Sequence, residues 1–223
     1  MVARTSRTAL RPDSVRIEAG GIVLDGDLAV PPGARGVVLF AHGSGSGRHS
    51  PRNRAVAAAL NDRGFATLLL DLLTPQEEAV DDRTAHIRFD IPLLAGRLGY
   101  AAEWLATHLA TRTLRLGLFG ASTGAGAALI MAAEKPAMVK AVVSRGGRPD
   151  LAGDALPNVR CPTLLIVGGE DHAVIRLNEE ARVRMKAPVT LELIPGASHL
   201  FEEPGALEKV AQIAADWFEK WLV

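Results

Sequence analysis

Residues 117–126 read GLFGASTGAG, with Ser122 set among Gly117, Gly120, Gly124 and Gly126 directly after an apolar run. Glycine is a poor helix former, yet the stretch lies where a helix is about to begin, so it is built to let backbone pass close to something. Two kinds of site ask for this. Gly120, Gly124 and Gly126 fit a GxxxGxG turn, in which a helix N-terminus approaches a pyrophosphate. Gly120, Ser122 and Gly124 fit GxSxG, the sharp strand-to-helix turn that pushes a serine hydroxyl out of a sheet and leaves no room for side chains two residues to either side.

Outward from this stretch, short runs rich in Val, Ile and Leu alternate with longer ones of helical period, without internal repeats. GIVLDGDLAV (21–30) reads as a strand preceded by a shorter one near VRIEA, and PPG after it is a turn. GVVLFAHG, FATLLLDL, LRLGLFG, VKAVVSRGG and PTLLIVGGED are buried strands by their continuous apolar character, and VTLELIPG closes the series. After GVVLFAHG, Ser50 as N-cap, Pro51 at N1 and Gly64 as the stop delimit a helix. Further helical stretches lie near 91–111, 122–134 and 173–186, with ALEKVAQIAADWFEKWL at the end. Such alternation predicts an α/β fold with a mostly parallel, doubly wound sheet flanked by helices. Ligands then sit beyond the carboxyl ends of the strands, so the loops beginning at His42, Asp71, Ser122, Arg145, Asp171 and His199 share one rim.

Composition bounds the partners. The chain has 223 residues, 48% of them hydrophobic, enough for one domain over 14–223 behind a tail at 1–13. Twenty-five Lys and Arg balance 25 Asp and Glu, so no global charge draws it toward nucleic acid or anionic lipid, and neither is expected as a partner. No apolar run is long enough to span a bilayer, and no secretory signal is read at the start. The one cysteine, Cys161, can form neither an internal disulfide nor a structural zinc site, so a reducing, cytoplasmic compartment is expected. No histidine and carboxylate spacing makes a metal site, and no metal is expected.

The dinucleotide reading places its turn after a first strand, as the short-chain dehydrogenases do, whereas several strand and helix units precede Gly120 here. The tyrosine with a lysine four residues on is also missing: the only tyrosine, Tyr100, has Trp104 at that offset. GSGSG after GVVLFAH has neither the GxGxxG spacing nor the lysine of a nucleotide P-loop. No cofactor is therefore expected. GxSxG instead finds partners in chain order, since TLLIVGGED ends a strand with Asp171 just outside it and LELIPGASHLF ends the next with His199 in the loop before the last helix. Glu170 and Asp150 compete with Asp171 for the acid, and His172 and His42 with His199 for the base.

From about Val15 onward the chain resembles the α/β hydrolases, in which serine, acid and histidine follow in that order. It is similar to their small, capless dienelactone hydrolase-like branch, although dienelactone hydrolases proper carry a cysteine where Ser122 stands. The resemblance implies an α/β hydrolase fold with no large cap domain. Its acid is followed three residues later by an apolar residue, which Asp171 and Val174 satisfy. Ser122 would attack, His199 would take and return the proton, and Asp171 would hold the imidazole. The backbone N–H of Thr123 would receive the oxyanion, and the resemblance places the second donor in the loop after AHG, at the N–H of Ser44. A cofactor-free serine hydrolase acting on a small-molecule carboxylic ester, lactone or thioester is expected. Acyl transfer on the same triad and a non-catalytic binding module are the alternatives. TPQEEAVDDRTAHIRFDIPLL (74–94) reads as a solvated acidic loop or a small cover, Asp71 as a loop-ordering acceptor, and Arg145 and Arg148 as guanidinium groups able to grip an anionic substrate.

Overall fold

The computed structural model describes residues 10–223. Most of the tail read at 1–13 lies outside the described residues, and Asp13 already opens the first strand. Eight strands form one sheet: β1 Asp13–Ala19, β2 Ile22–Ala29, β3 Val37–Ala41, β4 Ala66–Leu70, β5 Leu116–Ala121, β6 Val139–Arg145, β7 Thr163–Gly168 and β8 Val189–Ile194. Their spatial order is β1-β2-β4-β3-β5-β6-β7-β8. The β1–β2 and β2–β4 pairs are antiparallel and every other pair is parallel. This is the mostly parallel sheet expected from the alternation of runs.

Among the described residues six α-helices flank it: α1 Pro51–Asp62, α2 Pro75–Thr84, α3 Ile91–Thr107, α4 Thr123–Glu134, α5 His172–Arg184 and α6 Ala206–Leu222. Every residue of β3, β4, β5 and β7 is buried, as a strand covered on both faces requires. Leu39, Leu68 and Leu118 point to the face where α3 and α4 pack. Val38, Phe40, Phe119 and Val143 point to the other, covered by Val56 and Leu60 of α1 and Val210, Ala214 and Phe218 of α6. The helix at 51–62 starts where the sequence places it, with Ser50 accepting from the Asn53 N–H and Pro51 in the first turn. Among the described residues no helix is long and apolar enough to cross a membrane.

Two segments differ from the reading. Residues 75–84, taken as loop, form α2, with a 3-10 turn at Ile87–Phe89 behind it. The helix is polar all round, so no apolar period announces it, and a capping box between Thr74 and Glu77 starts it instead. Its Glu77 is anchored by the buried Arg97 of α3, whose guanidinium also donates to the Leu72 carbonyl at 2.5 Å. The link after β6 is likewise folded, as kinked 3-10 turns over Pro149–Asn158 that pack on α4.

Candidate active site

Strand β5 ends at Ala121 and α4 begins at Thr123, so the chain reverses on Ser122 alone. Its backbone sits at φ 50°, ψ −123°, a conformation that costs a non-glycine residue about 1–3 kcal/mol and persists only when its surroundings enforce it. They do. The Ser122 N–H donates to the Arg145 carbonyl at 3.2 Å, while its own carbonyl accepts from the Arg148 N–H at 3.0 Å and the Ala125 N–H at 3.1 Å. The two glycines of the motif are steric necessities. A Cβ on Gly120 would stand 2.5 Å from Ala125 Cα, and one on Gly124 would stand 2.3 Å from the Ala41 carbonyl oxygen. The kink leaves the Ser122 side chain half-buried at the carboxyl edge of the sheet, at the positive end of α4.

Strands β7 and β8 deliver the next two groups. Asp171 caps α5, with Oδ1 accepting from the Val174 N–H at 3.4 Å, which fixes the carboxylate and leaves Oδ2 to meet His199 Nδ1 at 2.6 Å. A carboxylate oxygen can only accept, so Nδ1 is the donor of that bond. The His199 loop is pinned by the Ser198 N–H donating to Glu203 at 3.0 Å and by Phe201, buried at its base. Gly146, just past β6, makes room for it: a Cβ there would stand 3.1 Å from the His199 carbonyl and 3.6 Å from its ring Cε1. Arg145 thus borders the serine turn and Gly146 the imidazole. Neither the Ser122 hydroxyl nor His199 Nε2 has a hydrogen-bond partner among the described residues.

The competing groups sit elsewhere. Asp150 is paired with Arg148, His172 is an exposed residue opening α5, and His42 is buried beneath the loop that follows β3. His42 accepts from the Leu72 N–H at Nε2 and faces the Gly43 carbonyl through Nδ1, both at 2.9 Å. Burial holds its pKa below the ordinary histidine value, against smaller opposing pulls from that carbonyl and from Asp71. It is a neutral strut. Asp71 orders the same loop, accepting from the Arg48 N–H at 2.6 Å and pairing with the Arg48 guanidinium. Gly43 packs on the serine turn, where a Cβ would lie 3.0 Å from Ser122 Cβ.

The structure adds local detail to three readings at this rim. The Ser44 N–H does not stand free, because it donates to Thr123 Oγ1 at 2.9 Å and its tie to the serine turn is through that hydroxyl. The Arg148 guanidinium forks through Nε and Nη2 onto both oxygens of Asp150 at 2.8 and 2.7 Å. The segment around α2, read as a solvated loop or a small cover, walls a cavity of about 310 Å³ together with residues 42–47, Leu94 and Thr123. Asp81 and Asp82 pair with Arg88 in that wall, and burial, with Asp71 and Asp82 nearby, pushes the Glu78 carboxyl up. Arg145 keeps a buried guanidinium at the end of β6. Among the described residues no cluster of His, Cys, Asp or Glu is arranged to hold a metal ion.

A parallel sheet in which one strand next to the edge, β2, runs antiparallel to the rest, a strained serine between β5 and α4, and a histidine–carboxylate pair beyond β7 and β8 define an α/β hydrolase without a large cap. Within that class the chain belongs to the dienelactone hydrolase family, whose model it matches over residues 24–222. It is 57% identical to a protein whose structure is described as dienelactone hydrolase from Anabaena variabilis, with a TM-score of 0.94 over 97% of this chain and 100% of that one. Two Mycobacterium tuberculosis proteins, from strains CDC 1551 / Oshkosh and H37Rv, carry the name "Putative phosphoribosyl transferase". Each is 57% identical over 209 residues, which make up 94% of this chain and 46% of theirs, so the chain spans about half the length of these curated relatives. Est1E from Butyrivibrio proteoclasticus shares the fold at 17% identity, with a TM-score of 0.77 over 93% of this chain and 98% of that one.

Proposed function

We propose that this chain is a serine hydrolase that cleaves a carboxylic ester, lactone or thioester of a small molecule through an acyl-enzyme. The observation that carries the reading is the 2.6 Å contact of His199 Nδ1 with Asp171, at the rim where Ser122 is held in a strained turn. With Nδ1–H committed to the carboxylate, Nε2 is the lone-pair nitrogen that takes the Ser122 proton as Oγ attacks the carbonyl carbon. A closer approach of the two groups than in the free protein is the ordinary accompaniment of substrate binding. The oxyanion meets the Thr123 N–H at the start of α4 and the Ser44 N–H, released when the Thr123 hydroxyl turns away. His199 then gives its proton to the leaving oxygen or sulfur, and water enters by the same route in reverse.

The transferase name of the mycobacterial relatives describes chains about twice as long, so it is not carried over to this one. A fluorophosphonate probe with peptide mass spectrometry tests the assignment. Labelling of Ser122 in the native protein, lost in His199→Ala together with roughly a million-fold of kcat on an activated ester, is expected. An unmodified Ser122, or a crippling effect of His172→Ala in place of His199→Ala, overturns it.

A further inference from the structure

The three residues after β6 meet, directly or through one helix, every group assigned to the reaction. Arg148 donates its N–H to the Ser122 carbonyl at 3.0 Å, and Gly146 lies against the His199 carbonyl and ring. Gly147 meets the helix that Asp171 caps, its carbonyl accepting from Asn178 Nδ2 of α5 at 3.0 Å. The Gly147 carbonyl and the Arg148 N–H belong to a single planar peptide group, so fixing the one aims the other. Two glycines in succession leave this stretch without side chains to hold it, and its orientation depends on partners outside it. A Cβ on Gly147 would run into Ser144 Oγ and come within 2.6 Å of Ala125 Cβ, so the stretch also lies tightly against α4.

Asn178 is out of place by composition alone. Val174, Asn178 and Ala181 form the buried face of α5, at the spacing of an apolar stripe, and Asn178 is wholly buried there. Asparagine is a poor helix former, and its Oδ1 is buried without a partner among the described residues, so the amide works against folding on two counts. What it brings is a donor. Nδ2 carries two hydrogens and uses both, one on the Gly147 carbonyl and one on the Val174 carbonyl at 2.8 Å. Val174 is also the residue whose N–H holds Asp171 Oδ1 at 3.4 Å. A continuous path therefore runs from the acid through Val174, the Asn178 amide and the Gly147–Arg148 peptide to the carbonyl of Ser122.

We propose that Asn178 is a positioning residue, which fixes the Gly147–Arg148 peptide so that the strained Ser122 turn and the helix carrying Asp171 keep one relative placement. Ser122 sits in a conformation that its surroundings must enforce, and its carbonyl is held by the Arg148 N–H. Without the amide, the Gly147 carbonyl is left buried and unpaired, the peptide turns to relieve it, and the Ser122 turn relaxes out of line with His199. Substrate contacts at the rim do not pass through Asn178, so the loss falls on kcat and not on KM. That catalytic consequence rests on the serine hydrolase reading above, whereas the tether itself does not.

Asn178→Leu is compared with Ala181→Gly, which weakens the same buried face of α5 without touching Gly147. Hydrolysis of p-nitrophenyl acetate and fluorophosphonate labelling of Ser122 are followed at a temperature where both variants are folded by circular dichroism. Asn178→Leu lowers kcat and the labelling rate about tenfold or more, with KM within about twofold of the wild type. Ala181→Gly lowers the urea midpoint and keeps the wild-type kcat. An unchanged kcat in Asn178→Leu, an equal fall in Ala181→Gly, or a fall carried by KM overturns the proposal. Where the leucine variant does not fold, Asn178→Ser decides in its place, since its hydroxyl bonds the Val174 carbonyl one turn back and does not reach Gly147. Amide exchange of Arg148, read by NMR, needs no substrate: it is about tenfold or more faster in the Asn178 variant than in Ala181→Gly. If wild-type Ser122 takes no probe and the ester is not cleaved, the hydrolase reading fails and the catalytic consequence with it. Faster Arg148 exchange then still upholds the tether, and unchanged exchange overturns it.

Discussion

Gly124→Ala and Gly96→Ala exchange the same hydrogen for a methyl group inside a helix, and the structure assigns them opposite signs. Helix propensity alone favours alanine over glycine by about 1 kcal/mol at either position. At Gly96, on the exposed side of α3, an added Cβ meets nothing within 4 Å, so the full gain of roughly 1 kcal/mol is expected. At Gly124 the same atom would lie 2.3 Å from the Ala41 carbonyl oxygen and 2.5 Å from that of His42. Carbon and oxygen rest about 1 Å further apart, and both obstacles are backbone, one of them at the end of the fully buried β3. Relief requires moving α4 or the strand end. Overpacking of this kind costs about 3 kcal/mol, so the net destabilisation is roughly 2 kcal/mol out of the 5–15 kcal/mol that holds a typical domain together. Urea unfolding of both variants, followed by tryptophan fluorescence, reads the difference. Probe labelling of Ser122 should fall in Gly124→Ala and hold in Gly96→Ala, because the carbonyls displaced are those that set the Ser44 loop against Thr123. A Gly124→Ala protein as stable as the wild type would show that the serine turn is not held by close backbone contact, and the steric account of GxSxG would be wrong for this chain.

Two further outcomes are expected. Thr123→Val removes the acceptor of the Ser44 N–H; it should lose about 1 kcal/mol of stability yet raise kcat/KM up to roughly fivefold, since that bond no longer has to break before the oxyanion is received. Stopped-flow ester hydrolysis checks it, and a fall in rate would mean that the hydroxyl positions the donor and does not mask it. For His42, burial lowers the pKa in the folded state below the value near 6.5 of the unfolded chain, so the unfolded state binds more protons as the solution is acidified. Its contribution to stability is complete above about 6.5 and is lost progressively below it; urea midpoints measured on either side should therefore depend less on pH in His42→Gln than in the wild type.

The parts of the molecule legible in the sequence are those fixed by periodicity and chain order. A strand buried on both faces must be a continuous apolar run, so β3, β4, β5 and β7 stood out, and each places the residue after it on the carboxyl rim. That places Asp171 beyond β7, and the closing run VTLELIPG, which became the partly exposed β8, brings His199 to the same edge. Helix α2 escaped because it buries almost nothing, only Asp81 among its ten residues, so it has no apolar period to detect. Its start was nonetheless written in TPQE, where Thr74, Pro75 and Glu77 are the N-cap, first-turn proline and capping-box acid.

Charge pairing was the least legible, and Arg145 and Arg148 show why. In sequence they are three residues apart, of one type, and equally placed to reach a ligand at the rim. The backbone separates them. Arg145 is the last residue of β6 and is carried by the strand into the layer beneath α1, where the charge of Arg52 acts on it. Arg148 lies beyond two glycines, on a segment whose N–H has already turned back to the Ser122 carbonyl, and this brings its side chain onto Asp150 two residues further on. Spacing fixes which residues arrive at the rim, whereas their neutralisation depends on what the other elements bring to the same place. An arginine whose neighbours arrive without a carboxylate is therefore recognisable only after folding.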